Sequence, residues 1–181
     1  MLPDGAQVPF FARCGNPLLF WISLVEKAYA KLHGRYYALH GGSTDEALED
    51  LLGVPVENVF MDDGSTMTDK LSLYNTIQTL TYNHAVIGAK LDLEMFTNMV
   101  TIDKKKIYAR AMSLGIQPFH NYSILDARTV DAINSVGKPE KVMLVRLQCP
   151  WAHAVEWSGR CSDMNDHFWT PDVKAQFNNQ N

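Results

Sequence analysis

Apolar residues along this chain fall into short runs separated by turn-forming residues, and the two most informative runs lie in its last third. Val142, Met143, Leu144, Val145 and Leu147 make a stretch of strand length, and Pro150 ends it by removing a backbone donor. Cys149 therefore sits at a strand end, where sheet proteins hold functional side chains rigid on one side and open on the other. A second run, His120 to Leu125, is rich in β-branched and aromatic residues, with Pro118 before it and the turn-like Asp126 after it. If the two strands pair antiparallel, with Asp126 to Lys141 as the connection, His120 and Cys149 fall at the same end of the pair.

Helical patterns precede them. Trp21, Leu24, Val25, Ala28 and Leu32 recur at helical spacing and form one apolar face, opposite Glu26, Lys27 and Lys31, with Gly34 as the stop. Ser43 with Glu46 three residues on reads as a capping box for a helix ending at Leu52, whose inward residues are Ala47, Leu48, Leu51 and Leu52; Gly53 and Pro55 close it. Leu71 to Tyr82 reads as a helix through Leu73, Ile77 and Leu80. A strand over Ala85 to Leu91 follows, and then a helix over Lys104 to Met112. Residues 1 to 10, with Pro3, Gly5 and Pro9, read as an extended linker, and the closing QFNNQN as a polar, frayed end.

Composition narrows the function classes. The chain has 181 residues and a net charge of −4, enough for one domain with a buried core. Lys104 to Lys106 is its only concentrated basic run and reads as a solvated helix start, which argues against nucleic acid as a partner. Cys14, Cys149 and Cys161 form neither a C-x-x-C pair nor an even disulfide framework, so a reducing cytoplasm is the expected compartment. The longest apolar stretch, Pro17 to Val25, is too short to span a bilayer, and no signal-peptide pattern surrounds it.

Several chemical motifs fail on inspection. Gly41 and Gly42 lack the Lys-Ser/Thr and preceding strand of a phosphate loop. Asp62, Asp63 and Asp69 around Gly64 miss the register of a calcium loop and its twelfth-position glutamate. His33, His40, His84, His153 and His167 show no metal-ligand spacing.

The two strand-end segments do carry a pattern. PFHNYSILDA resembles the calpain motif G-H-A-Y-S-V, and VMLVRLQCPWAHAVEWSGRCSD resembles L-I-R-I-R-N-P-W-G-x-x-E-W-x-G-x-W-S-D. The stretch from Phe10 to Gly53 resembles the helix and loop that open the second half of the calpain core, so the resemblance covers most of residues 9 to 173. It implies an α+β fold, a twisted, barrel-like antiparallel sheet with packed helices, corresponding to the second subdomain of a papain-like cysteine peptidase. Residues 1–12 would then link to a first subdomain that brings the nucleophilic Cys and the oxyanion Gln, 13–173 would form the second subdomain, and 174–181 a polar tail.

By the same resemblance, the catalytic histidine is His120, and Trp151 is the tryptophan that shields the site. At the family's Asn position stands Cys149. A thiol is a weak acceptor and cannot offer an amide oxygen to the far ring nitrogen of the imidazole. Loss of a triad's orienting member costs on the order of 10⁴ in turnover, so the chain alone is expected to be inactive. Cys149 reads better as a buried thiol filling the Asn space than as a new dyad, or a redox or metal pair, with His120, whose imidazolium would favour thiolate. Phe119 and Asn121 replace Gly and Ala beside the histidine, Ala152 replaces a Gly, and Cys161 stands where the family has Trp.

The resemblance also implies calcium, with Glu156 and Asp163 at the positions of two carboxylate ligands and the remaining ligands lacking. The resulting expectation is a calpain-like cysteine endopeptidase core fragment, with a first protease subdomain as its partner. The alternative is a non-catalytic module that holds a peptide or protein partner, with calcium as its possible regulator.

Overall fold

The computed structural model describes residues 12, 14–16, 18–61, 65–91, 103–150 and 156–178. The chain divides into two compact units, Met1–Asn58 and Val59–Asn181. The single subdomain expected over 13–173 spans both.

In the first unit, α1 (Trp21–Leu32) leads through a 3-10 turn (Tyr36–Leu39) to α2 (Thr44–Leu52). The bounds of α1 follow its periodicity, but its apolar face is not covered: Trp21, Leu24 and Leu32 are more than half exposed, and Ala30 is the buried residue. The polar side is tied instead, as Glu26 accepts the Ala12 N–H at 2.8 Å and Ser23 Oγ donates to the Ala12 carbonyl at 2.6 Å. Periodicity reports which residues share a face, not what lies against it. On α2, Leu51 and Leu52, expected to face inward, are likewise half exposed.

Ser43 caps α2 by accepting the Glu46 N–H, which is half of the expected capping box. The Glu46 carboxylate lies instead with His33 and Asp50. The reciprocal box forms on α3 (Met67–Tyr82), where Thr66 accepts from Asp69 N and the Asp69 carboxylate accepts from Thr66 N at 2.8 Å.

The second unit is built on a three-stranded antiparallel sheet in the order β1 (Gly88–Lys90), β2 (Asn121–Ile133), β3 (Pro139–Gln148). The expected α+β class is therefore the observed one. β1 is shorter than the Ala85–Leu91 reading. Helix α4 (Lys104–Ser113) starts on Asp103, whose carboxylate accepts from the N–H groups of Lys105 and Lys106.

β2 is twice the expected length. Asp126 does not turn the chain but sits at a bulge, since Ile124 pairs with Leu147 and Asp126 with Arg146, leaving Leu125 as the extra residue. Its carboxylate pairs with Arg128, and Asp131 pairs across the strands with Lys141 at 2.9 Å, so the charges lie along a half-solvated strand. The true turn is Asn134–Lys138, where Asn134 Oδ1 accepts from the N–H groups of Val136 and Lys138 and Gly137 takes φ +77°.

The core of this unit lies on one face of β2 and β3. Val130 and Ala132 pack with Phe168 and Val173, flanked by Val142, Leu144, Cys161, Trp169 and Phe177. Val173 and Phe177 belong to α5 (Pro171–Asn178), which extends into the expected polar tail. Phe168 meets Trp169 edge to face at 5.1 Å, and Tyr74 of α3 reaches Thr129 of β2 through a 3.1 Å hydroxyl bond. Among the described residues no helix is long and apolar enough to cross a membrane.

Removing the Phe168 ring empties the centre of this cluster. Phe168→Ala is expected to lower unfolding free energy by about 3–5 kcal/mol in urea titrations. Ile133→Ala, at a position 63% exposed, is expected to shift it by less than about 0.5 kcal/mol.

Candidate functional site

His120 is the residue immediately before β2, and its position is fixed from several sides. Phe119 ahead of it adopts φ +60°, a left-handed conformation unusual for an aromatic residue, and its N–H donates to the Leu91 carbonyl at 2.8 Å. This bond carries the β1–β2 pairing one step past Lys90↔Asn121. Side chains two apart on a strand share a face, and the His120 ring meets the Tyr122 ring edge to face at 5.5 Å and 79°. The Tyr122 hydroxyl is itself held, accepting the Gln117 N–H at 2.8 Å.

Cys149 follows β3 by one residue. Because Gln148 pairs with Ser123, His120 and Cys149 lie at the same end of the β2–β3 ladder. Both are partly buried, and Cys149 carries no disulfide. Trp151 lies outside the described residues.

The environment sets the protonation state of the histidine. His120 Nε2 is out of contact with solvent, and burial lowers its pKa below the ordinary 6.5. The imidazole is therefore neutral near pH 7 and able to accept a proton, which is the state a general base needs. Beside it, the Asn121 amide oxygen is buried and accepts no hydrogen bond from the described residues.

Glu156 and Asp163 are both exposed. Glu156 belongs to a segment seated against the end of α4: Ser158 donates its N–H to the Leu114 carbonyl and its hydroxyl to the Ser113 carbonyl. Gly115, at φ +83°, lets the Glu156 backbone approach closer than any β-carbon would permit. Among the described residues neither carboxylate belongs to a group of three metal-ligating side chains. Calcium takes six to eight oxygens, and two exposed carboxylates supply only part of such a set.

Cys161 packs at the margin of the core, and burial raises its thiol pKa, which opposes reactivity. The group that sequence spacing missed is His33, Glu46 and Asp50, whose ligand atoms lie within 4.8 Å of one another. Glu46 and Asp50 one helical turn apart were a legible half of it. The approach of His33 depends on how the chain turns between α1 and α2.

An antiparallel sheet that presents a neutral, half-buried histidine at one open end is the arrangement expected of the base-bearing part of a thiol peptidase. Comparison with known proteins agrees with this class. The model described as calpain family cysteine protease matches residues 1–181. The calpain-type cysteine protease ADL1 of Oryza sativa subsp. japonica is 34% identical over 168 residues, covering 92% of this chain and 7% of the relative. The calpain-1 catalytic subunit of Bos taurus is 32% identical over 160 residues, covering 88% of this chain and 19% of the relative. Calpain-8 of Rattus norvegicus is 37% identical over 144 residues, covering 80% and 18%. The chain belongs to the calpain family of cysteine proteases and spans less than a third of the length of each of these relatives.

A histidine that resists protonation makes folding pH-dependent. Between its lowered folded pKa and 6.5, the unfolded chain binds the proton and the folded chain does not, so stability is lost as pH falls through that window. NMR titration is expected to place the His120 midpoint below 6.5, and His120→Gln to flatten the fall in urea-unfolding stability across it.

Proposed function

We propose that this chain supplies the histidine-bearing part of a calpain-type cysteine endopeptidase core, and that by itself it holds peptide without cutting it. The observation that carries this reading is the placement at the same end of the β2–β3 ladder of a neutral His120 and of Cys149, which stands where the family motif has Asn. In a complete site, His120 would take the proton of a nucleophilic cysteine and return it to the leaving amine. An orienting acceptor on the far ring nitrogen keeps the ring in the tautomer that does this, and a thiol accepts hydrogen bonds only weakly. A complete site would therefore draw its nucleophile and oxyanion donors from a first protease subdomain, and the Cys149 substitution would leave it slow.

A second reading, as a non-catalytic peptide-binding module, is favoured by the edge strand. Among the described residues β3 has a strand partner on one side only, and Met143, Val145 and Leu147 along it are each at least 40% exposed. An edge strand of this kind can accept an extended peptide as a further strand.

Fluorescently labelled casein peptides test both readings. The chain is expected to show no cleavage above buffer, and retention of peptide is expected to weaken in Val145→Lys. Cleavage that disappears in both His120→Ala and Cys149→Ser would sink the non-catalytic reading and make the His120–Cys149 pair the catalyst.

A further inference from the structure

The first unit contains a constellation that the peptidase reading does not use. α1 ends at His33, whose backbone N–H donates to the Tyr29 carbonyl at 3.1 Å, which fixes where the imidazole leaves the helix. Glu46 and Asp50 are one turn apart on α2, so their side chains project from the same face. His33 Nε2 lies 3.0 Å from Asp50 Oδ2, and the ligand atoms of all three residues lie within 4.8 Å of one another.

The surroundings order this group further. The Tyr29 ring meets the His33 ring edge-on at 4.4 Å and 62°, restricting the ring plane. Ser43 satisfies the helix N-terminus through the Glu46 N–H, while the Glu46 carboxylate turns toward His33 and Asp50. The side chains of His33 and Asp50 are 26% and 32% exposed, and Glu46 lies open to solvent beside them.

We propose that His33, Glu46 and Asp50 form a three-ligand site for a divalent first-row transition ion of the zinc class, which ties the end of α1 to α2. Two donors each about 2.1 Å from a tetrahedral zinc stand about 3.4 Å apart. The His33–Asp50 pair is already near that spacing, and a rotation of the Glu46 side chain completes the set. One imidazole nitrogen with two carboxylate oxygens suits zinc and its neighbours, whereas calcium needs at least six oxygens. The ion replaces the single hydrogen bond between His33 and Asp50 and neutralises the two carboxylates. Its fourth position is left to water, as in three-ligand zinc centres. All of these residues lie within the first unit, so the site stands or falls independently of His120.

The test is titration of the full chain with zinc chloride in a non-coordinating buffer, followed by calorimetry, and with cobalt chloride, followed by visible absorption. A variant with Cys14, Cys149 and Cys161 changed to Ser is carried in parallel to remove thiol ligation. The expected result is one ion per chain in both proteins, a zinc-dependent rise in melting temperature, and loss of affinity by more than about a hundredfold in His33→Ala and in Glu46→Gln. X-ray absorption of the zinc-loaded wild-type chain reads the ligands without any variant and is expected to show one imidazole, oxygen donors and no sulfur. No saturable binding, binding unchanged in the two variants, or sulfur in the zinc coordination would each overturn the site.

Discussion

The second unit depends on one ladder, the antiparallel pairing of β2 with β3 from Ser123–Gln148 to Ile133–Pro139. A two-stranded ribbon is marginal in water, and this one is reinforced on each side that matters. One face buries Val130 and Ala132 against Phe168 and Val173, β1 pairs along the first residues of β2, and Tyr74 ties α3 to Thr129. The ladder also brings residues 120 and 149 to one end although 28 positions separate them, and no local propensity would do that. Only the cross-strand hydrogen bonds specify the juxtaposition, so the chemistry at that end inherits its precision from the packing at the other.

The environment of His120 then does what the ladder alone does not. A histidine on an open strand end would titrate like a free imidazole. Packed against Tyr122, with Phe119 ahead of it bent into an unusual conformation, it is desolvated enough to stay neutral. The cost of that arrangement, a backbone torsion that an L-aromatic residue rarely adopts, is met by the Phe119 bond to Leu91. Local strain, burial and the choice of protonation state are thus one structural decision rather than three.

Much of this was legible in the residues, and the failures have physical causes. Pro118 marked the start of β2 and Pro150 the end of β3, Ser43 and Gly53 bracketed α2, and the period of Trp21 to Leu32 gave α1 to the residue. The second half of β2 was hidden because Asp126 read as a turn, although the strand carries it at a bulge and pairs it with Arg128, and carries Asp131 on its solvated side paired with Lys141. The α1 face was visible as a pattern, but its exposure was not, since a pattern contains no information about neighbours. The His33, Glu46 and Asp50 group was invisible for the same reason: two members follow helical spacing, and the third arrives only through tertiary folding.

The extra residue at Leu125 has a meaning beyond local geometry. Side chains on a strand alternate with a strict period of two, so a single unpaired residue reverses which face the even-numbered positions occupy. β2 therefore runs in two phases. Downstream of Leu125, even positions such as Val130 and Ala132 enter the core; upstream, His120 and Tyr122 are even as well but belong to the opposite phase. The bulge works as a phase shifter that lets one continuous strand serve a dry interior along half its length and deliver a histidine elsewhere with the other half. Deleting that one residue would leave every hydrogen-bonding group available and still turn the histidine toward the wrong side.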